Sequence, residues 1–247
     1  MKLTIEAVAG LPEIAPGEDL AALIASHASL EDGDIVVIAQ KAVSKSEGRF
    51  ADPGAIEPGD RARELAASTA KDPGLVQLIL DESNEVLRAT EGVLIVETRH
   101  GFICANAGID SSNVPGTERV LLLPVDPDAS ARTLRSALQS STGRRLAVLI
   151  TDSFGRAWRS GQQDVAIGCA GIEPLLDERG SSDREGRELT ATIQAIADEL
   201  AAAADLARTK DSGEPVVIIR GRSELVISAD GPGAAASLRE RTQDLFR

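Results

Sequence analysis

"LAVLITDSFGRAWRSG", residues 146–161, is the segment from which the architecture of this chain is most readily inferred. Apolar residues run almost without interruption from Leu146 to Ile150, as in a buried strand. The pattern predicts that this strand ends at Asp152, before a loop with two arginines and the only tryptophan of the chain. A carboxylate at the tip of a buried strand needs a partner, so the tip indicates either a helix cap or a binding site.

Strand-length runs rich in Val and Ile alternate with helical patterns along the whole chain. The predicted strands are residues 2–8, 34–40, 92–98, 101–107, 119–125, 146–152 and 215–221. The predicted helices are 18–28, 59–70, 74–83, 128–140 and 186–207, with a last one within 228–246. This alternation without repeats predicts one mixed α/β or α+β unit, in one or two lobes. The expected boundaries between lobes are residues 52–60 and 208–214.

Composition excludes several classes of function. A net charge of −13 and an aromatic content of 2% argue against nucleic-acid binding, which needs basic patches and stacking platforms. No run approaches the ~18 apolar residues of a membrane span, and the first residues lack the apolar core of a signal peptide, so a cytoplasmic address is expected. Cys104 and Cys169 form no C-x-x-C pair and are expected to be buried thiols. His27 and His100 are expected to be structural.

A second strand end resembles the one at Asp152. The stretch "CANAGIDSSN", residues 104–113, also ends an apolar run and delivers an acid, Asp110, followed by two serines and Asn113. Two strand-end carboxylates flanked by hydroxyl oxygens are what a hard divalent cation prefers. Helix capping remains the alternative, and the sequence alone does not show whether the two tips meet.

Cationic residues could serve an anionic ligand. "QKAVSKSEGR", residues 40–49, places Lys41, Lys45 and Arg49 on a turn that either cradles a phosphate or is simply solvated. Arg156 and Arg159 could hold an anionic substrate beside Asp152, or form surface ion pairs. The two common glycine-rich nucleotide loops are absent from the sequence.

Several motifs occur together and in order: "GLPEI", "DGDIVVIAQKAVSKSEGR", "NAGIDSSNV", "DPDASARTLR", "ITDSFGRAWRSGQ" with "VAIGCAGI", and "DREGRELTATIQAIADELAAAADL". From residue 10 to about residue 221, the chain resembles the ligases that join L-glutamate to coenzyme F420-0, a deazaflavin, and that are also called gamma-glutamyl ligases. The resemblance implies one gamma-glutamyl ligase domain over residues 1–247, with an α+β fold peculiar to the family. It also implies an intertwined homodimer. The flavin-binding domain fused behind this one in some bacterial relatives is expected to be absent.

The resemblance implies a GTP-dependent ligase that forms an amide between L-glutamate and the lactyl carboxylate of F420-0 through an acyl phosphate. Further gamma-linked glutamates can follow in the family. It implies Mg²⁺ or Mn²⁺, and K⁺. The matched positions give as metal ligands Asp110, Asp152 and Ser153. They give as nucleotide contacts Leu11, Pro12, Glu13, Ile14, Gln40, Lys41, Lys45 and Asn113. The expected catalytic set is Asp110, Asp152, Lys45 and Arg156, the last orienting the acidic substrate.

One segment departs from the family pattern. Where many relatives read Met-Gly followed by an acid or a lysine, this chain reads Arg208-Thr209-Lys210. A protonated lysine cannot bind a metal but can contact a phosphate, so Thr209 and Lys210 are predicted to contact the nucleotide, and the number of metal ions stays open. Two alternatives to the ligase remain: a metal-dependent phosphotransferase or phosphatase, and a non-catalytic nucleotide-binding relative.

Overall fold

The computed structural model describes residues 2–110, 119–209 and 212–246. The helices are α1 (Leu20–His27), α2 (Gln40–Ser46), α3 (Asp60–Thr69), α4 (Pro73–Asp81), α5 (Pro127–Thr142) and α6 (Ile196–Asp205). The strands are β1 (Thr4–Ala7), β2 (Ile35–Ala39), β3 (Phe50–Ala51), β4 (Ser83–Thr90), β5 (Val93–Thr98), β6 (Ile103–Ala105), β7 (Val120–Leu121), β8 (Ala147–Arg156), β9 (Arg159–Ala170), β10 (Leu176–Asp177), β11 (Ile193–Gln194) and β12 (Val216–Arg220). The prediction of a mixed α+β fold is confirmed.

The central sheet has five strands in the order β1-β12-β2-β8-β9. Strands β2 and β8 pair in parallel, from Ile35 opposite Ala147 to Ala39 opposite Thr151. The other neighbouring strands in this sheet pair antiparallel. Because the parallel pairing stops at Ala39 opposite Thr151, the residues that follow β2 lie beside Asp152 of β8.

Helices cover both faces of this sheet. Alternate residues of β2 and β8, such as Ile38 and Ile150, pack in a cluster with α1 and α5. The intervening residues, such as Val37 and Leu149, pack in a second cluster with α6. Both faces are therefore apolar, which explains why these two strands read as continuous hydrophobic runs.

A smaller antiparallel sheet, β4-β5-β6, packs with α3 and α4 around its own apolar cluster. It is attached to the main sheet through the short β3–β7 pair and through Arg49, which donates hydrogen bonds to the Leu123 carbonyl at 2.7 Å and to Glu82 at 3.0 Å. Asp110 exchanges two backbone hydrogen bonds with Leu121, of 3.1 and 2.8 Å. This bridge fixes the main chain of Asp110 against the end of β7.

The predicted end of the strand at Asp152 was wrong. Strand β8 continues to Arg156 and forms a hairpin with β9, closed by a turn at only Ala157 and Trp158. Beyond Asp152 the hairpin leaves the core, and its outer residues are exposed. The apolar alternation that marks a half-buried strand is therefore missing from the arm, and the sequence resembles a loop there.

Two predicted helices also differ from the structure. The pattern over 186–207 yields only α6, because Thr190, Thr192 and Ile193 are β-branched and residues 193–194 instead form strand β11. The last predicted helix is reduced to short 3₁₀ turns at Ala234–Ser237 and Arg241–Gln243. By contrast, α5 is confirmed, with the Asp126 carboxylate accepting from the Ala129 amide at 2.9 Å.

Within the described ranges, the structure contains no helix with the length and apolarity that a bilayer crossing requires.

The close approach of β9 to the start of α5 gives a test of this packing. A Cβ added at Gly168 would lie 2.3 Å from the Pro127 carbonyl oxygen. Because backbone must then shift, Gly168→Ala is expected to lower the free energy of unfolding by about 3 kcal/mol in urea titrations. The control Gly155→Ala, whose added Cβ meets no atom within 4 Å, should change it by less than about 0.5 kcal/mol. Equal stabilities of the two variants would contradict the predicted contact.

Candidate active site

A cleft of about 780 Å³ opens where β2 ends beside Thr151 and Asp152 of β8. Four chain segments line it: residues 12–14, 39–42, 151–153 and 213–215. Single residues complete the lining: Lys45, Asp110, Gln162, Asp164, Asp205, Arg208 and Thr209. The parallel pairing of β2 with β8 thus brings together segments more than a hundred residues apart in the sequence.

Most of the predicted site residues lie in this cleft. The lining includes Pro12, Glu13, Ile14, Gln40, Lys41, Lys45, Asp110, Asp152, Ser153 and Thr209. Two predicted residues lie elsewhere. Leu11 packs against the core cluster of α1 and α5, and Arg156 lies on the hairpin arm, where it donates a 2.8 Å hydrogen bond to the Ser160 carbonyl. Asn113 and Lys210 are outside the described residues.

Asp152 is a strongly perturbed carboxylate of the cleft. Its pKa is raised from 3.8 to about 7, first by burial and then by the negative charges of Asp164 and Asp110. A hydrogen bond from the Ser153 backbone amide and the charge of Lys41 partly oppose this rise in pKa. Carboxylates crowded in this way are stabilised by a bound cation.

Two ion pairs join the lysines of the cleft to its carboxylates. The Lys41 ammonium lies 2.7 Å from an Asp110 oxygen, and the Lys45 ammonium contacts the Glu13 carboxylate. Lys45 is almost buried, whereas Glu13 is largely exposed. The positive charges are therefore fixed inside the cleft, where an incoming anion could replace their carboxylate partners.

A buried network beneath the cleft was missed by the sequence analysis. The Asp164 carboxylate accepts hydrogen bonds from the hydroxyls of Thr151 at 2.9 Å and Ser153 at 2.6 Å, and from Arg208 at 2.5 Å. The sequence contains the acid, but its position beside Ser153 follows only from the hairpin, in which strand pairing places Asp164 opposite Ser153. Treating residues 153–161 as a loop hid this relation.

The donor set fits a hard cation. Asp110 and Asp152 offer carboxylate oxygens, and the Ser153 hydroxyl keeps lone pairs while it donates to Asp164. In the described structure the buried Gln40 Oε1 atom accepts no hydrogen bond, so it is a further available oxygen. No group of three or more His, Cys, Asp or Glu side chains is arranged for a metal among these residues. Such a sparse, all-oxygen set suits Mg²⁺, which retains water and takes further ligands from phosphates.

The raised pKa of Asp152 predicts a pH-dependent cost to stability in metal-free protein. Because the pKa is higher in the folded state than in the unfolded state, stability is lost as the pH rises from about 4 to 7. Asp152→Asn removes this cost and keeps an acceptor for the Ser153 amide. In EDTA at pH 8, where partial solvent contact reduces the full penalty, the variant should gain roughly 2 kcal/mol in urea titrations. The two proteins should be equally stable near pH 4; a gain of the same size at pH 4 would contradict this account.

Comparison with known proteins identifies the family of this chain. Residues 10–221 match the family model described as F420-0:Gamma-glutamyl ligase. The coenzyme F420:L-glutamate ligase of Methanothermobacter thermautotrophicus is 46% identical over 253 residues, which cover 100% of both chains. The enzyme of the same name from Methanopyrus kandleri is 45% identical, covering 99% of this chain and 98% of the relative. That from Methanocaldococcus jannaschii is also 45% identical, covering 96% and 94%.

These similarities extend over nearly the whole chain and include both strand ends of the cleft. The resemblance inferred from the motifs is confirmed, and with it the prediction of an enzyme of the ligase class. The chain belongs to the F420-0:Gamma-glutamyl ligase family.

Proposed function

We propose that this chain forms the amide bond between L-glutamate and the lactyl carboxylate of coenzyme F420-0, with GTP as the phosphoryl donor. The names of the relatives support the reaction class and the glutamate substrate. The observation that carries the proposal is the cleft itself, where Asp110, Asp152, Lys41 and Lys45 converge. Two carboxylates for a cation beside two ammonium groups form a site suited to a metal-bound polyphosphate.

The chemistry requires activation of a carboxylate. A carboxylate oxygen of the precursor attacks the γ-phosphorus of GTP, GDP leaves, and an acyl phosphate forms. The glutamate amine then attacks the acyl carbon, inorganic phosphate leaves, and the nitrogen loses a proton. Both steps move negative charge onto phosphate oxygens, so fixed positive charge in the cleft favours them.

The side chains of the cleft divide into two groups by role. Lys41 and Lys45 exchange their carboxylate partners for phosphate oxygens when the nucleotide binds. Asp110 and Asp152, with Ser153, hold Mg²⁺ or Mn²⁺, which when bound supplies charge neutralisation of the phosphates. Release of Lys41 from Asp110 removes one competitor of the cation at that carboxylate, so anion and cation binding favour each other.

Several of the remaining proposed nucleotide contacts line the same cleft. Residues 12–14 and Thr209 lie on its rim, and Gln40 contributes a buried amide whose oxygen is available to a donor or to K⁺. Leu11 packs against the core and so anchors residues 12–14, which line the cleft. Asn113 and Lys210 keep their proposed nucleotide roles from the resemblance alone.

The hairpin arm supports the proposal of a homodimer. Trp158 at its tip is 79% exposed, and Leu176 and Ile193 of the β10–β11 pair are also exposed. Large apolar side chains on projecting arms are typical of surfaces that a second copy covers. In such a dimer, Arg156 would act on the acidic substrate from the arm.

The reaction itself gives the direct test. After incubation of F420-0 with the chain, GTP, Mn²⁺ and glutamate, mass spectrometry should show one glutamyl increment for each addition. GTP consumption should depend on glutamate. Asp110→Asn should lower the rate at least about 100-fold, because it removes a carboxylate that neutralises the cation. The control Asp81→Asn, an exposed acid on α4, should leave the rate unchanged.

Two outcomes would contradict the proposal. GTP hydrolysis without a glutamyl increment would indicate a phosphatase or phosphotransferase. GTP binding without turnover in the presence of both substrates would indicate a non-catalytic relative.

A further inference from the structure

Arg208 lies at the floor of the cleft, and the proposed chemistry gives it no role. Its side chain is only 9% exposed, and its partner Asp164 only 3%. One guanidinium nitrogen donates to Asp164 at 2.5 Å and to the Thr151 hydroxyl at 2.7 Å. The other terminal nitrogen donates to the Pro215 carbonyl at 3.1 Å. The guanidinium thus joins strands β8 and β9 to the segment that follows α6.

The network includes the residues immediately before and after Asp152 in the sequence. Thr151 and Ser153, the two residues that flank it, both donate their hydroxyl hydrogens to Asp164. Arg208 in turn holds Asp164 in place. The backbone at Asp152 is therefore held in place through the hydrogen bonds of its two neighbours to the buried Asp164 carboxylate.

The same contact balances charge. Asp164 would otherwise add a second buried negative charge next to Asp152. An arginine stays protonated under all ordinary conditions and can bridge several acceptors with its planar fork. Arg208 and the two hydroxyls occupy the oxygens of Asp164, so Asp164 serves as a support for the site and does not ligate the cation.

We propose that Arg208 is a positioning residue that, through Asp164, Thr151 and Ser153, presents the Asp152 carboxylate to the divalent cation. The inference rests on the proposed function, because it assumes a cation at Asp110 and Asp152.

Direct Mn²⁺ binding by the full chain, followed by electron paramagnetic resonance of the free ion, tests the inference without relying on activity. Arg208→Met should weaken Mn²⁺ affinity by about 10- to 100-fold, as loss of a support behind a ligand does. The double variant Asp164→Asn with Arg208→Met removes both charges and keeps polar partners for the two hydroxyls. It should recover only part of the lost affinity, because the charge is balanced but the guanidinium contacts to Thr151 and Pro215 are missing. The control Arg222→Met, at an arginine that pairs with Glu224 away from the cleft, should bind Mn²⁺ as the parent does.

Arg208→Lys provides a variant that retains the charge if Arg208→Met does not fold. A lysine cannot span Asp164, Thr151 and Pro215 together, so the affinity should fall by several-fold. Parent-like Mn²⁺ affinity in any folded single variant at position 208 would overturn the inference, as would a parent chain that binds no Mn²⁺. A parent chain that binds Mn²⁺ but adds no glutamate would instead contradict the proposed function alone.

Discussion

The parallel pairing of β2 with β8 in the middle of the central sheet is the constraint on which the rest of the structure depends. The two strands run in the same direction and their pairing stops at Ala39 opposite Thr151, so the start of α2 is forced into proximity with Asp152. Apolar clusters on both faces hold the pair in register, because a slip by one residue would turn each buried side chain to the opposite face. The cleft is a consequence of that register.

The crowded charges of the cleft lower the stability of the folded protein, and the same charges suit the proposed reaction. Asp152 is crowded by carboxylates and buried, so its pKa rises, and the lysines nearby are held by Asp110 and Glu13. Under the proposed function, each of these groups would gain a better partner when a cation and a polyphosphate bind together. Stability given up at a functional site in this way is common in enzymes.

Much of this could be predicted from the sequence. The continuous apolar runs predicted β2 and the buried part of β8, the Asp-Pro start predicted α5, and Asp110 and Asp152 were candidate cation ligands before any geometry was known. Whether Asp110 and Asp152 line one cleft depends on the bridge of Asp110 to Leu121 and on the pairing of β2 with β8, and the hydrophobic pattern specifies neither contact. Asp164 was missed because it lies on a polar hairpin arm, where β pairing leaves no periodic signal. The role of Arg208 required its long-range contact with Asp164.

A crystal structure of the chain with Mn²⁺ and a non-hydrolysable GTP analogue, measured at the manganese absorption edge, tests the central claim most directly. The account predicts an anomalous peak between the Asp110 and Asp152 carboxylates, at metal–oxygen distances of about 2.0–2.6 Å. It also predicts that Lys41 has left Asp110 for a phosphate oxygen. A manganese peak at other acids, with Asp110 still paired to Lys41 and no ion at Asp152, would contradict it.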